Sequence, residues 1–78
     1  MQRYHNLSGH SGVVAYELGD DTITVKFAGD DSPCYLYDAN RPGLQAVREM
    51  QRLAKAGKGL STYISQHVRN NYARHWTR

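Results

Sequence analysis

Residues 57–62 read Gly-Lys-Gly-Leu-Ser-Thr, a composition that could hold a phosphate group. The phosphate-binding loop of nucleotide-binding proteins places Ser or Thr directly after Gly-Lys, and it joins a strand to a helix. Here a glycine follows the lysine, and helical patterns flank the segment on both sides. The segment is therefore interpreted as a flexible connection between helices. Contact of a single phosphate with its backbone N–H groups is the weaker alternative.

The histidines could in principle ligate a metal ion. His5 and His10 belong to a loop-like segment, and His67 and His75 are eight positions apart. Neither pair has the i, i+4 spacing or the cysteine partners that zinc sites use. We therefore expect surface or packing histidines, with no metal ion and no cofactor.

Catalysis would need a nucleophile or a pair of carboxylates in a suitable setting. Cys34 has no base near it in the sequence, and its strand-like surroundings are typical of a small apolar core residue. The acidic pairs at 20–21 and 30–31 have the composition of turns. The prediction is that the protein is not an enzyme.

The basic residues concentrate in the second half of the chain. Residues 1–40 contain two basic and six acidic side chains, whereas residues 41–78 contain eight basic and one acidic. A basic half attracts polyanions such as nucleic acid or an acidic protein surface. The alternative is that solvated helix faces favour Arg and Lys, while turns favour Asp.

These side chains must be positioned by a single small domain, because the chain has 78 residues. Three strands are predicted at residues 13–18, 22–27 and 34–37. The clearest is 22–27, where Ile23, Val25 and Phe27 alternate with polar residues and should face the core. Short turns join the strands, which predicts an antiparallel meander.

Two helices are predicted after the strands. The first starts near residues 40–42, with Pro42 in its first turn, and Gly57 ends it in a left-handed conformation. The second begins at a cap formed by Ser61 or Thr62. Each helix carries one set of residues at helical spacing: an apolar stripe on the second helix and a basic ridge on the first. The stripe consists of Ile64, Val68, Tyr72 and, if the helix continues, Trp76. The ridge consists of Arg48, Arg52 and Lys55.

Tyr35 and Tyr37 share one face of the third strand. If Leu36 faces the core, both rings lie on an open sheet face where bases could stack. If the rings face inward, they seal the sheet against the helices. The inward orientation is favoured, because Leu36 alone would be a small contribution to the core. Tyr63 is the better candidate for an exposed ring, on the flank of the second helix that also carries His67 and Arg74.

The chain resembles the KTSC domain, a short module of bacterial proteins that also occurs at the C-terminus of some lysyl-tRNA synthetases. The similarity rests on the order and spacing of short motifs. These are Ile23-x-Val25-x-Phe27, Tyr35-x-Tyr37, the run from Gly59 to Ile64, Val68-Arg69 and Tyr72. The resemblance implies a β-meander with helices, and RNA binding as a suggested role without an established activity.

The predicted fold is α+β, with a three-stranded antiparallel β-meander followed by two helices packed on one face. Residues 1–11 should be an irregular N-terminal segment, and 12–76 a single KTSC-like domain. No apolar run suggests a signal peptide or membrane span, and the lone cysteine suits a reducing compartment, so a cytoplasmic protein is expected.

The predicted function is a non-catalytic nucleic-acid-binding module, for RNA more than DNA, that acts through a basic helical surface. The predicted binding residues are Arg48, Arg52, Lys55, Lys58, Tyr63, Arg69 and Arg74. The alternative is a protein-interaction or accessory module without nucleic acid. Such a module would pair with a protein partner, or with a second copy of itself, through a free strand edge.

Overall fold

The computed structural model describes residues 1–7, 9 and 11–77. It contains one five-stranded antiparallel sheet, with the strands neighbouring each other in chain order, and helices. The elements are β1 (Gln2–Arg3), β2 (Val13–Leu18), β3 (Ile23–Phe27), β4 (Cys34–Tyr37), α1 (Leu44–Ala56), α2 (Leu60–Tyr63), a π-helical turn (Ile64–Val68) and β5 (Arg74–Trp76). The predicted α+β class is confirmed, but the predicted number of three strands is wrong.

The two additional strands cover both edges of the predicted meander. β1 lies within the segment expected to be irregular, where Arg3 pairs with Ala15 of β2. β5 lies where the second helix was expected to continue, and Trp76 pairs with Cys34 of β4. Strands of two or three residues are too short to show an alternating pattern in the sequence. They form because they pair with distant parts of the chain.

The core lies between the sheet and the helices. Ile23 and Val25 of β3 are fully buried there, as predicted, and Phe27 is partly buried. Both helices contribute to the same cluster, which contains Tyr4, Val13, Tyr16, Ile23, Val25, Tyr37, Val47, Met50, Ala54, Leu60, Ile64 and Val68. The described helices include none long and apolar enough to cross a membrane.

α1 begins at Leu44, later than predicted. The carboxylate of Asp38 accepts hydrogen bonds from the backbone N–H groups of Asn40 and Arg41, both at 2.9 Å. This side chain offers the backbone a turn in place of a helical start, so the helix begins only after Gly43. The predicted end is confirmed, because Gly57 adopts a left-handed φ of 80°.

α2 also begins differently from the prediction. Gly59, with a φ of 84°, occupies the N-cap position, and no side chain caps the helix, so neither Ser61 nor Thr62 acts as the cap. The helical segment ends at Val68 with a π turn. Tyr72 and Trp76 therefore do not continue the stripe of a helix.

Candidate nucleic-acid interface

The ridge of Arg48, Arg52 and Lys55 is exposed along α1, as predicted. At 1.5 Å of rise per residue it extends over about 10 Å. Neighbouring acidic groups already contact part of it. Arg48 donates to the backbone oxygen of Asp20 and to the carboxylate of Asp21, each at 3.0 Å.

Arg52 forms the second ion pair of the ridge. It donates through Nε and Nη2 to the two carboxylate oxygens of Glu49, three residues earlier in α1. This hydrogen bonding holds the pKa of the Glu49 carboxyl below its usual value and raises the pKa of Arg52. Both pairs are exposed to solvent. They reduce the positive potential of the ridge, but a ligand can still reach its guanidinium groups.

An open groove of about 880 Å³ brings three of the predicted residues together. Arg48 and Arg52 line it from α1, and Tyr63 lines it from α2. The Tyr63 ring is partly buried and packs at a tilt against His67, with the ring centroids 4.8 Å apart. The groove thus combines two guanidinium groups with one aromatic ring.

Lys58 continues the basic surface beyond α1. It is exposed between Gly57 and Gly59, which both have left-handed φ values. Lys55 occupies the last turn of α1. Lys58 therefore extends the ridge from Lys55 toward the connection between the helices.

Arg74 lies away from the ridge, on a strand. It pairs with Leu36, and its guanidinium lies 5.9 Å from the centroid of the Trp76 ring. Tyr37, the next residue on β4, faces the core. Because side chains alternate along a strand, Arg74 lies on the sheet face opposite the helices. The prediction that placed it beside Tyr63 on the second helix is wrong.

Tyr35 and Tyr37 face the helices, as favoured from the sequence. Tyr37 is 1% exposed and Tyr35 is partly buried. Burial raises the pKa of Tyr37 far above its ordinary value, and the neighbouring Tyr35 and Tyr72 raise it further. The Tyr37 hydroxyl therefore keeps its proton in the alkaline range in which an exposed tyrosine loses it.

A second cleft, of about 240 Å³, lies over these tyrosines. Tyr72 forms one wall, and its ring stacks on Tyr35 with the centroids 4.9 Å apart. Arg69 lines the same cleft, away from the groove of Arg48 and Arg52. Sequence reasoning assigned Tyr35, Tyr37 and Tyr72 to the core. Their shared cleft was missed, because it depends on a turn at Arg69 that the sequence does not predict.

Side chains suited to metal binding do not cluster: among the described residues, no group of three or more His, Cys, Asp or Glu side chains could hold a metal ion. Cys34 is fully buried and lies 3.6 Å from the backbone oxygen of Ser32. It pairs with Lys26 and Trp76, so it belongs to the sheet face without helices. This position agrees with a packing role for the thiol.

Comparisons of the chain with protein-family models, curated proteins and solved structures found no match. The resemblance to the KTSC domain therefore stays a prediction.

Proposed function

We propose that the protein is a non-catalytic module that binds nucleic acid, with RNA preferred over DNA. The observation that carries the proposal is the groove shared by Arg48, Arg52 and Tyr63. Guanidinium groups bind phosphate through paired hydrogen bonds, and an aromatic ring stacks on a base of any sequence. The groove offers both contacts side by side, and Lys55 and Lys58 extend the cationic surface.

The ion pairs of the ridge are compatible with phosphate binding. The side chains of Arg48 and Asp21 are both 56% exposed, and that of Arg52 is 66% exposed. Pairs exposed to this degree contribute little to stability, so a phosphate can compete for the guanidinium groups. Asp21 and Glu49 then act against non-specific adsorption of any polyanion, since they lower the net charge of the groove.

Single-stranded RNA suits the groove better than a duplex. A stacking ring needs a base that is not already stacked in a helix, and single-stranded loops supply such bases. Tyr63 is only partly buried, so part of its ring remains accessible. Membership of the KTSC family, which we propose on the sequence motifs, points in the same direction.

The alternative module, which pairs through a free strand edge, has less support. β1 and β5 cover the edges of β2 and β4 that the prediction left free. The new edges are two and three residues long. Edges this short offer few backbone groups for pairing with another chain.

Removal of the two guanidinium groups tests the proposal. The variant Arg48→Gln with Arg52→Gln is compared with the control Arg3→Gln with Lys26→Gln, which removes the same charge from the sheet face without helices. Affinity for a fluorescently labelled, single-stranded oligoribonucleotide is measured by anisotropy at low salt. We expect the groove variant to bind on the order of tenfold more weakly, and the control to lose much less.

Glu49→Gln gives the converse test. It removes the carboxylate that pairs with Arg52 and raises the net charge of the groove. We expect tighter binding of the same oligonucleotide.

Equal losses of affinity in the groove variant and its control, or no binding by the wild type at low salt, would refute the proposal.

A further inference from the structure

The cleft over the tyrosines is closed on one side by a strained turn. The N–H of Asn71 donates to the oxygen of Val68 at 3.0 Å, so residues 68–71 form a β-turn. Arg69 occupies its second position with φ 52° and ψ −118°. These angles are those of a type II′ turn, in which glycine is strongly preferred at this position.

An arginine in a conformation suited to glycine needs a reason, and strained residues of this kind cluster at binding sites. Its position in the structure suggests one. The Nε of Arg69 donates to the backbone oxygen of Ser65 at 3.2 Å, and Arg69 lines the tyrosine cleft. The turn thus places an arginine in the lining of an aromatic cavity.

The cavity matches one flat ring in size and chemistry. Its volume of about 240 Å³ lies below the ~300–1,000 Å³ of sites that enclose a drug-sized ligand. The aromatic lining includes Tyr72, Tyr35 and Phe27, with the Phe27 ring tilted at 60° to that of Tyr35. The buried Tyr37 and the exposed Asn70 add a hydroxyl and an amide, which suit the polar edge of a base.

We propose that this cleft binds a single nucleotide of an RNA strand, with the base in the tyrosine cavity and a phosphate on Arg69. The inference rests on the proposed function and adds a subsite outside the groove of Arg48 and Arg52. The charge of Arg69 complements a phosphate, and the aromatic walls complement a base.

Arg69→Gly separates binding from folding. Glycine adopts the turn without strain, so the variant should melt several degrees higher than the wild type. It lacks the guanidinium, so it should bind the single-stranded oligoribonucleotide on the order of tenfold more weakly. Arg69→Lys keeps the charge in the strained turn and should bind with an intermediate affinity. Weaker binding together with a lower melting temperature would assign Arg69 a structural role and contradict the inference.

Titration with adenosine 5′-monophosphate locates the subsite directly. In ¹H–¹⁵N spectra of the wild type, we expect shifts at the amides of Tyr35, Asn70 and Tyr72, and much smaller shifts with adenosine or inorganic phosphate alone. Arg69→Gly should abolish most of the response. Shifts confined to other parts of the chain would overturn the inference. Shifts in the cleft with N-acetyltyrosine and none with the nucleotide would do the same, and would indicate a peptide ligand.

The outcomes distinguish this subsite from the proposed function. If the wild type binds the oligonucleotide and Arg69→Gly binds it equally well, the subsite is wrong and the function stands. If no oligonucleotide binds but the mononucleotide shifts the cleft signals in an Arg69-dependent way, the proposed function is wrong, and the cleft is a site for a free nucleotide and not for an RNA strand.

Discussion

The ring of Tyr35 on β4 stacks on the ring of Tyr72 at an interplanar angle of 21°, with the centroids 4.9 Å apart. The contact joins β4, the neighbour of the edge strand β5, to the segment that follows the π turn. Directly after it, the N–H of Ala73 donates to the oxygen of Leu36 at 2.8 Å, and β5 begins. The stack therefore anchors the last strand and forms a wall of the tyrosine cleft.

Loss of this stack should destabilise the fold. Tyr72→Ala removes a partly buried ring and an aromatic pair, and should lower the free energy of unfolding by about 2–3 kcal/mol. Tyr72→Phe keeps the ring and should change it by less than about 0.5 kcal/mol. Urea denaturation measures both. A similar, small effect of the two substitutions would show that the stack contributes little to stability.

The buried phenol of Tyr37 should make stability fall at high pH. Its pKa is raised in the folded state, so the unfolded chain releases this proton first, near pH 10, while the folded chain retains it. The stability that the neutral Tyr37 side chain contributes is therefore complete below about pH 10. Above that pH the free energy of unfolding decreases by about 1.4 kcal/mol per pH unit until the folded-state pKa is reached.

Tyr37→Phe isolates this effect, because other titrating groups contribute equally to both proteins. The difference in unfolding free energy between wild type and variant should be constant from pH 7 to about pH 10 and then shift in favour of the variant. A difference that stays constant through the alkaline range would contradict the raised pKa.

The two glycines around Lys58 should differ in their tolerance of a side chain. Both have left-handed φ values, which would cost alanine about 1–2 kcal/mol. A Cβ at Gly57 would also lie 2.8 Å from the Cβ of His5, whereas at Gly59 its nearest contact is Leu53 at 3.4 Å. Gly57→Ala should therefore destabilise the protein clearly more than Gly59→Ala in thermal melts. An equal loss of stability would show that the backbone conformation alone determines the effect and that the contact with His5 adds nothing.

Parts of the fold follow from local sequence. The alternation in β3 places Ile23 and Val25 in the core, and Gly57 ends α1 as its type and position indicate. β5 could not be found in this way. Ile64, Val68 and Tyr72 have helical spacing, and arginine at position 69 is a good helix former, so nothing local indicates the turn. Only pairing with β4 and the Tyr35 stack favour the strand.

Local sequence likewise predicts only part of the candidate site. Exposure of Arg48, Arg52 and Lys55 follows from helical periodicity, and the pair between Arg52 and Glu49 follows from their i, i+3 spacing. The contact of Arg48 with Asp21 does not, because it joins α1 to the turn between β2 and β3. Tertiary packing thus determines how much of the ridge is neutralised.

The salt dependence of oligonucleotide binding tests the central claim most directly. Wild-type protein free of nucleic acid is titrated with a labelled single-stranded oligoribonucleotide over a series of salt concentrations. If the basic surface engages about four to six phosphates, log K should fall linearly with log salt at a slope of roughly −3 to −4. No binding at low salt, or an affinity that does not change with salt, would contradict the account.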